Sequence, residues 1–251
     1  NFNFIELGPR GTGKSYFFSE FSPYATLLSG GQATKATLFY NNARKRIGVV
    51  GFWDAVAFDE VAGIKIRDPD AIQIMKDYMA NGRFSRGVEV IADASMVFVG
   101  NIDHSIEQLV HSAQHDLFMT LPKEFDLAVM DRLACYLPGW EMPKIRPDNY
   151  ATGFGLMTDY LAEIFAELRR RNFQTHVAVA ASFEGMTGRN QDAVKKTAAG
   201  LLKLLHPHLT PDEVPLQIAA TALGLVAIAV ITRFINCLSG PGQTADPACN
   251  P

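Results

Sequence analysis

At 251 residues, 48% of them apolar, the chain is long enough for one large domain or two small ones and can bury a substantial core. Its formal charge of −3 excludes a polycation, so any contact with nucleic acid has to come from local clusters of Lys and Arg. Three widely separated cysteines, Cys135, Cys237 and Cys249, exclude a disulfide framework and a CxxC-type zinc site; with no secretory signal pattern, a reducing cytosol is the expected compartment.

The chain opens directly in a strand-like run, "NFNFIEL", which leads to the expectation that the natural N-terminus lies further upstream. "SYFFSEF" then reads as a helix and "ATLLSG" as a short strand. "TLFYNNARKRIGVV" is two β-rich arms around a basic middle, a hairpin pattern. "DAVAFDE" is an apolar strand ending in two acids. In "PDAIQIMKDYMANG", Pro69 sits at a helix start and Ala71, Ile72, Met75, Tyr78 and Met79 mark one helical face. "RFSRGVEVIADASMVFVGN" holds a second hairpin and a buried strand ending at Asn101, and "EFDLAVMDRLACYLPGW" reads as a helix and a short strand. This alternation predicts a mainly parallel sheet in a three-layer αβα arrangement over residues 1–150. After the loop "PKIRPDN" the pattern turns helical, in "FGLMTDYLAEIFAELRRR" and "QDAVKKTAAGLLKLLHP", which predicts a small all-α lid over 151–210.

Between the first strand and the first helix stands "GPRGTGKS", Gly8, Pro9, Arg10, Gly11, Thr12, Gly13, Lys14 and Ser15, which fits the phosphate-cradling pattern G-x-x-x-x-G-K-[ST] in its required context. Glycines let backbone N–H groups curl around phosphate oxygens, Lys14 can reach the β- and γ-phosphates of ATP, and Ser15 can place its hydroxyl on Mg²⁺. Asp59 is expected to hold the same Mg²⁺, and Glu60 to orient or deprotonate the attacking water. Asn101 can hydrogen-bond that water or the γ-phosphate. Two arginines are candidates for charge stabilisation: Arg132 in "MDRL", serving a neighbouring subunit's site in trans, and Arg189 in "MTGRNQDAV", serving its own site from the lid.

The order of phosphate loop, DE strand, strand-tip Asn, "DR" and lid Arg resembles the AAA+ ATPases. Longer strings, "ELGPRGTGKSYFFSEFSPY", "LSGGQATKATLFYN", "VAFDEVAGI", "MKDYMANGRFSRG" and "LPGWEMPKI", resemble the Lon-like family of bacterial BREX phage-resistance systems over roughly residues 2–208. That resemblance implies an AAA+ core similar to the MCM helicases, assembled as a homo-oligomeric ring, a hexamer or double ring, that binds DNA through its channel and works with other BREX components. It also implies a DNA-binding N-terminal region and a Lon-like C-terminal domain outside this sequence. The basic hairpin tips, Arg44, Lys45 and Arg46 in one and Arg83 and Arg86 in the other, agree with a sequence-nonspecific grip on phosphates.

Two other functions stay open: an unfoldase core of Lon type, for which Phe84 between Arg83 and Arg86 would be the threading aromatic, and a nucleotide-binding remnant without turnover. Residues 211–251 depart from the resemblance. Val214 to Ile231 carries no charge, and it is read as non-native sequence from a broken frame in preference to a helix buried against the lid or a partner, or to a membrane anchor. The segment after it is turn-rich.

Overall fold

The computed structural model describes residues 1–29, 33–64, 66, 68–110, 117–180, 182–215, 218, 219 and 222. The first unit comprises Asn1–Leu133 and Leu137–Ala162. In chain order its elements are β1 (Phe4–Gly8), α1 (Lys14–Glu20), β2 (Ala25–Leu28), α2 (Lys35–Leu38), β3 (Tyr40–Asn41), β4 (Arg46–Ile47), α3 (Val49–Phe52), β5 (Ala55–Phe58), α4 (Pro69–Asn81), β6 (Arg83–Ser85), β7 (Glu89–Ile91), β8 (Ser95–Asn101), α5 (Ile106–Val110), α6 (Leu127–Met130) and the second half of β9 (Cys135–Pro138). The central sheet has the order β2-β5-β8-β1-β9, and the pairs β2–β5, β5–β8 and β8–β1 are parallel.

Side-chain alternation explains the layering. Ala57, Val97 and Val99 share one face and pack on Phe18 of α1. Phe58 and Phe98, each one residue on, turn to the opposite face, where their rings stack 5.1 Å apart and Phe98 meets Phe125 edge-on at 4.9 Å. A parallel sheet covered on both faces reads as the near-continuous apolar runs seen in "AVAF" and "SMVFVG". The three-layer αβα fold with a mainly parallel sheet is therefore as expected.

Helix α4 shows how local chemistry sets the boundaries. Asp68 caps its start by accepting from the Asp70 N–H at 3.0 Å, Pro69 takes the first turn, and Gly82 ends it at φ 69 with its N–H on the Tyr78 carbonyl. The five residues predicted to form its inner face are all buried. The first hairpin is shorter than its sequence implies. Thr34 accepts from the Thr37 N–H and draws Lys35–Leu38 into a helical turn, and Val49 and Val50 begin α3, so only two residues pair on each arm.

The second unit takes in Ala134–Tyr136 and the helices from Glu163 onward, so α7 (Thr158–Arg169) spans the change of unit. Its α8 (Gln174–Ala180) and α9 (Gly188–Leu205) bury Phe173, Val177, Val194, Ala198 and Leu202 in a common core. Most of the uncharged stretch 214–231, and all of 232–251, lie outside the described residues. Among the described residues no helix is long and apolar enough to cross a membrane.

Candidate nucleotide site

The loop between β1 and α1 is built as a cradle. Gly11 and Gly13 adopt φ 84 and 82, a left-handed conformation that costs a side-chain-bearing residue about 1–2 kcal/mol. The first amide after the loop to find a backbone acceptor is that of Phe17, onto Gly13 at 3.0 Å. The N–H groups of residues 11–16 have no backbone acceptor among the described residues. Such a run of unmatched donors suits an anion.

Gly8 is required for a different reason. A Cβ there would lie 2.4 Å from the carbonyl carbon of Gly139, and a Cβ on Gly139 would lie 2.9 Å from the Leu7 oxygen. The end of β1 and the segment following β9 therefore touch backbone to backbone. That segment continues across the loop: the Ile145 N–H donates to the Gly11 carbonyl at 3.1 Å, and its Cδ1 lies 2.6 Å from where a Gly13 Cβ would be. "PKIRPDN", which in sequence reads as a linker to the lid, packs on the phosphate loop.

Lys14 is 7% exposed, and its Nζ donates to the carbonyls of Gly8 (3.2 Å) and Pro9 (2.6 Å) and to the Thr12 hydroxyl (3.2 Å). Burial pushes its pKa down, opposed by the charges of Glu6 and Asp59. Glu6, 6% exposed on β1, is a site residue that the sequence reading missed. Burial raises its pKa, and the Lys14 ammonium pulls it back. The signal was an acid in the middle of the apolar run "FIELG".

Asp59 and Glu60 follow directly on β5. The Asp59 N–H donates to Leu28 at the end of β2, which fixes the strand tip, and its Oδ1 accepts from both the Ser15 hydroxyl and the Glu60 N–H at 2.9 Å. Glu60 is exposed and holds φ 47, ψ 53. It and Lys45 are the two residues other than glycine with positive φ among those described, and such strain concentrates at functional sites. Asn101 ends β8 opposite Gly8, and the adjacent Ile102 N–H donates to the Gly8 carbonyl at 3.2 Å. Ser15, Asp59, Glu60 and Asn101 therefore gather at the C-terminal edge of the sheet around the loop, where open α/β sheets bind ligands. One hydroxyl and one carboxylate suit Mg²⁺, which is typically shared with substrate phosphates and water; among the described residues no cluster of three or more His, Cys, Asp or Glu could hold a metal by itself.

The remaining candidates are placed differently. Arg10 is exposed and faces Asp103 at 4.0 Å. Arg132 is anchored within the chain, with Nε on the Lys76 carbonyl at 2.8 Å and Nη1 on that of Ala128 at 2.6 Å. Arg189 is exposed in the first turn of α9, in the second unit. Arg44, Lys45 and Arg46 are exposed at the first hairpin's turn. Arg83 faces Glu89 at 3.6 Å, and Arg86 donates to the Tyr40 carbonyl. Phe84 is 2% exposed, so this hairpin does not present the threading aromatic that the sequence leaves open.

A parallel sheet, a glycine cradle around a buried lysine, and a serine bonded to the aspartate at the tip of β5 define a P-loop nucleotide-binding domain. The comparisons give the family. Residues 1–232 match the family model described as "Lon-like protease BrxL-like, ATPase domain", and the chain belongs to that family. It is 53% identical over 211 residues to "Lon-like protease BrxL" of Escherichia coli O9:H4 (strain HS), covering 82% of this chain and 30% of that protein. It is 51% identical over 214 residues to "Lon-like protease BrxL" of Bacillus cereus (strain H3081.97), covering 83% of this chain and 31% of that protein. The chain thus spans about a third of the length of these curated relatives. The family match runs past residue 208 and takes in the uncharged stretch 214–231.

Proposed function

We propose that this domain hydrolyses ATP with Mg²⁺ as a subunit of a homo-oligomeric ring that grips DNA without reading its sequence, acting with other BREX components in phage defence in the cytoplasm. The observation that carries the nucleotide chemistry is the 2.9 Å bond from the Ser15 hydroxyl to Asp59, which joins the phosphate loop to the acidic strand tip. Ser15 and Asp59 would hold the magnesium, which when bound neutralises charge on the phosphates and the leaving oxygen. Lys14 binds the β- and γ-phosphates, exchanging its contacts with Gly8 and Pro9 for phosphate oxygens. Glu60 accepts a proton from the attacking water, and Asn101, across from Gly8, orients that water. Arg132 is read as the cation offered to a neighbour, held in direction by its two carbonyl contacts, and Arg189 as the lid cation.

The DNA reading is supported by Arg44, Lys45 and Arg46, exposed together at one turn. The test is a pair of variants. Lys14→Ala abolishes ATP binding and turnover, whereas Glu60→Gln keeps binding and loses about 10²–10⁴-fold in rate. A Lys14→Ala protein that hydrolyses ATP as fast as the parent overturns the assignment. Mass in solution with ATP, with and without DNA, tests the ring.

A further inference from the structure

The two basic turns, which in sequence stand far apart, are joined in the fold. Arg86, half-buried at the turn of the β6–β7 hairpin, donates through Nη1 to the Tyr40 carbonyl in β3. Beside it the buried Phe84 ring lies 5.1 Å from Phe39 and 5.9 Å from Tyr78. A Cβ on Gly51 of α3 would clash with Ile47 of the first hairpin and come within 3.5 and 3.6 Å of Val90 and Phe84 of the second, so α3 lies against both hairpins. At the tips, the Asn42 side-chain oxygen lies 3.8 Å from where Gly87 would carry a Cβ. The first turn is itself held in shape: the Asn41 side chain accepts from the Arg44 N–H at 3.0 Å, and Lys45 keeps φ 52.

Each hairpin also leads into a strand that ends in the nucleotide site. β4 runs through α3 into β5, which ends at Phe58 just before Asp59; β7 runs into β8, which ends at Asn101. The starts of these strands are tied by the Ser95 N–H on the Asp54 carbonyl at 2.9 Å. β5 and β8 are parallel, so their starts lie at the sheet edge opposite the catalytic tips.

We propose that Arg86 is a positioning residue: its bond to Tyr40 locks the two hairpins into one body, which presents Arg44, Lys45 and Arg46 to a phosphate backbone. The proposal rests on the DNA reading above. The Tyr40 carbonyl takes up one N–H of Arg86 and fixes the guanidinium against β3, and Arg83 already faces Glu89. Among the described residues the side chains of Arg44, Lys45 and Arg46 make no hydrogen bond or ion pair, and three cations there act additively on a polyanion.

The test uses the full chain and two readouts. Hydrogen exchange without DNA follows the hairpin amides and the Gly48 N–H, which donates to Phe39 at 2.6 Å at the hairpin's root. Arg86→Ala speeds exchange there about tenfold, Arg86→Lys restores part of the protection, and β1 and β8 are unaffected. DNA binding is then measured against salt concentration. Arg86→Ala weakens binding at every salt but keeps the parent's slope, whereas Arg44→Ala and Arg46→Ala each lower the slope by about 0.9 on duplex DNA. Unchanged exchange at Gly48 in Arg86→Ala overturns the lock. A slope lowered by Arg86→Ala as much as by Arg44→Ala makes Arg86 a phosphate contact and overturns the positioning role. If the parent itself shows no salt-dependent DNA binding, the DNA reading fails, and the presenting role of the hairpins with it, while the exchange result still decides the lock.

Discussion

Replacing Gly8 by Ala tests whether the phosphate loop is held by backbone apposition. The new methyl would sit 2.4, 2.6 and 2.8 Å from the carbonyl carbon, oxygen and Cα of Gly139. Restoring a van der Waals separation of ~3.5 Å needs the end of β1 and the segment after β9 to part by about 1 Å. Neither side can yield by rotating a side chain, because the opposing atoms are backbone. Overpacking of this kind costs about 1–3 kcal/mol, and the upper end applies here. For a domain of this size about 3 kcal/mol lowers Tm by roughly 6–12 °C. Gly11→Ala is the control. Nothing lies within 4 Å of its Cβ, so only the strain of φ 84 is incurred, which is about 1 kcal/mol or roughly 2–4 °C. Thermal unfolding followed by tryptophan fluorescence, with and without ATP, gives both stability and nucleotide stabilisation. A Gly8→Ala protein that melts with or above Gly11→Ala refutes the apposition.

Two further outcomes follow from the site. Glu60→Gly relieves the left-handed backbone at φ 47, so stability is kept or rises by up to about 1 kcal/mol in denaturant unfolding while turnover falls about 10²-fold or more; a clear loss of stability refutes the strain. Glu6 has a folded pKa above its unfolded value of 4.5, so the folded state binds the extra proton between the two. Stability therefore falls as pH rises through that window, and the advantage of Glu6→Gln over the parent grows from below pH 4.5 upward and then levels; a difference independent of pH refutes it.

What the sequence by itself determined about this protein is what short-range chemistry encodes. The glycine spacing around Lys14, the acids closing "AVAFDE", the apolar run to Asn101 and the capped helix Pro69–Asn81 each carry their own geometry within a few residues. Periodicity and turn chemistry need no distant partner, so strand order along the chain, the parallel class and the core of the nucleotide site were legible. The tertiary structure alone decided which distant segments meet. That Gly8 must be glycine for the sake of Gly139, that Ile145 lies on the loop, and that Arg86 is bonded to Tyr40 all depend on segments remote in sequence packing together, and the burial that Glu6 shares with Lys14 depends on what the rest of the fold lays over them. A one-dimensional pattern reports which residues carry charge. Only packing decides whether that charge faces solvent or is held by a carbonyl, because a long cationic side chain reaches either from the same backbone position.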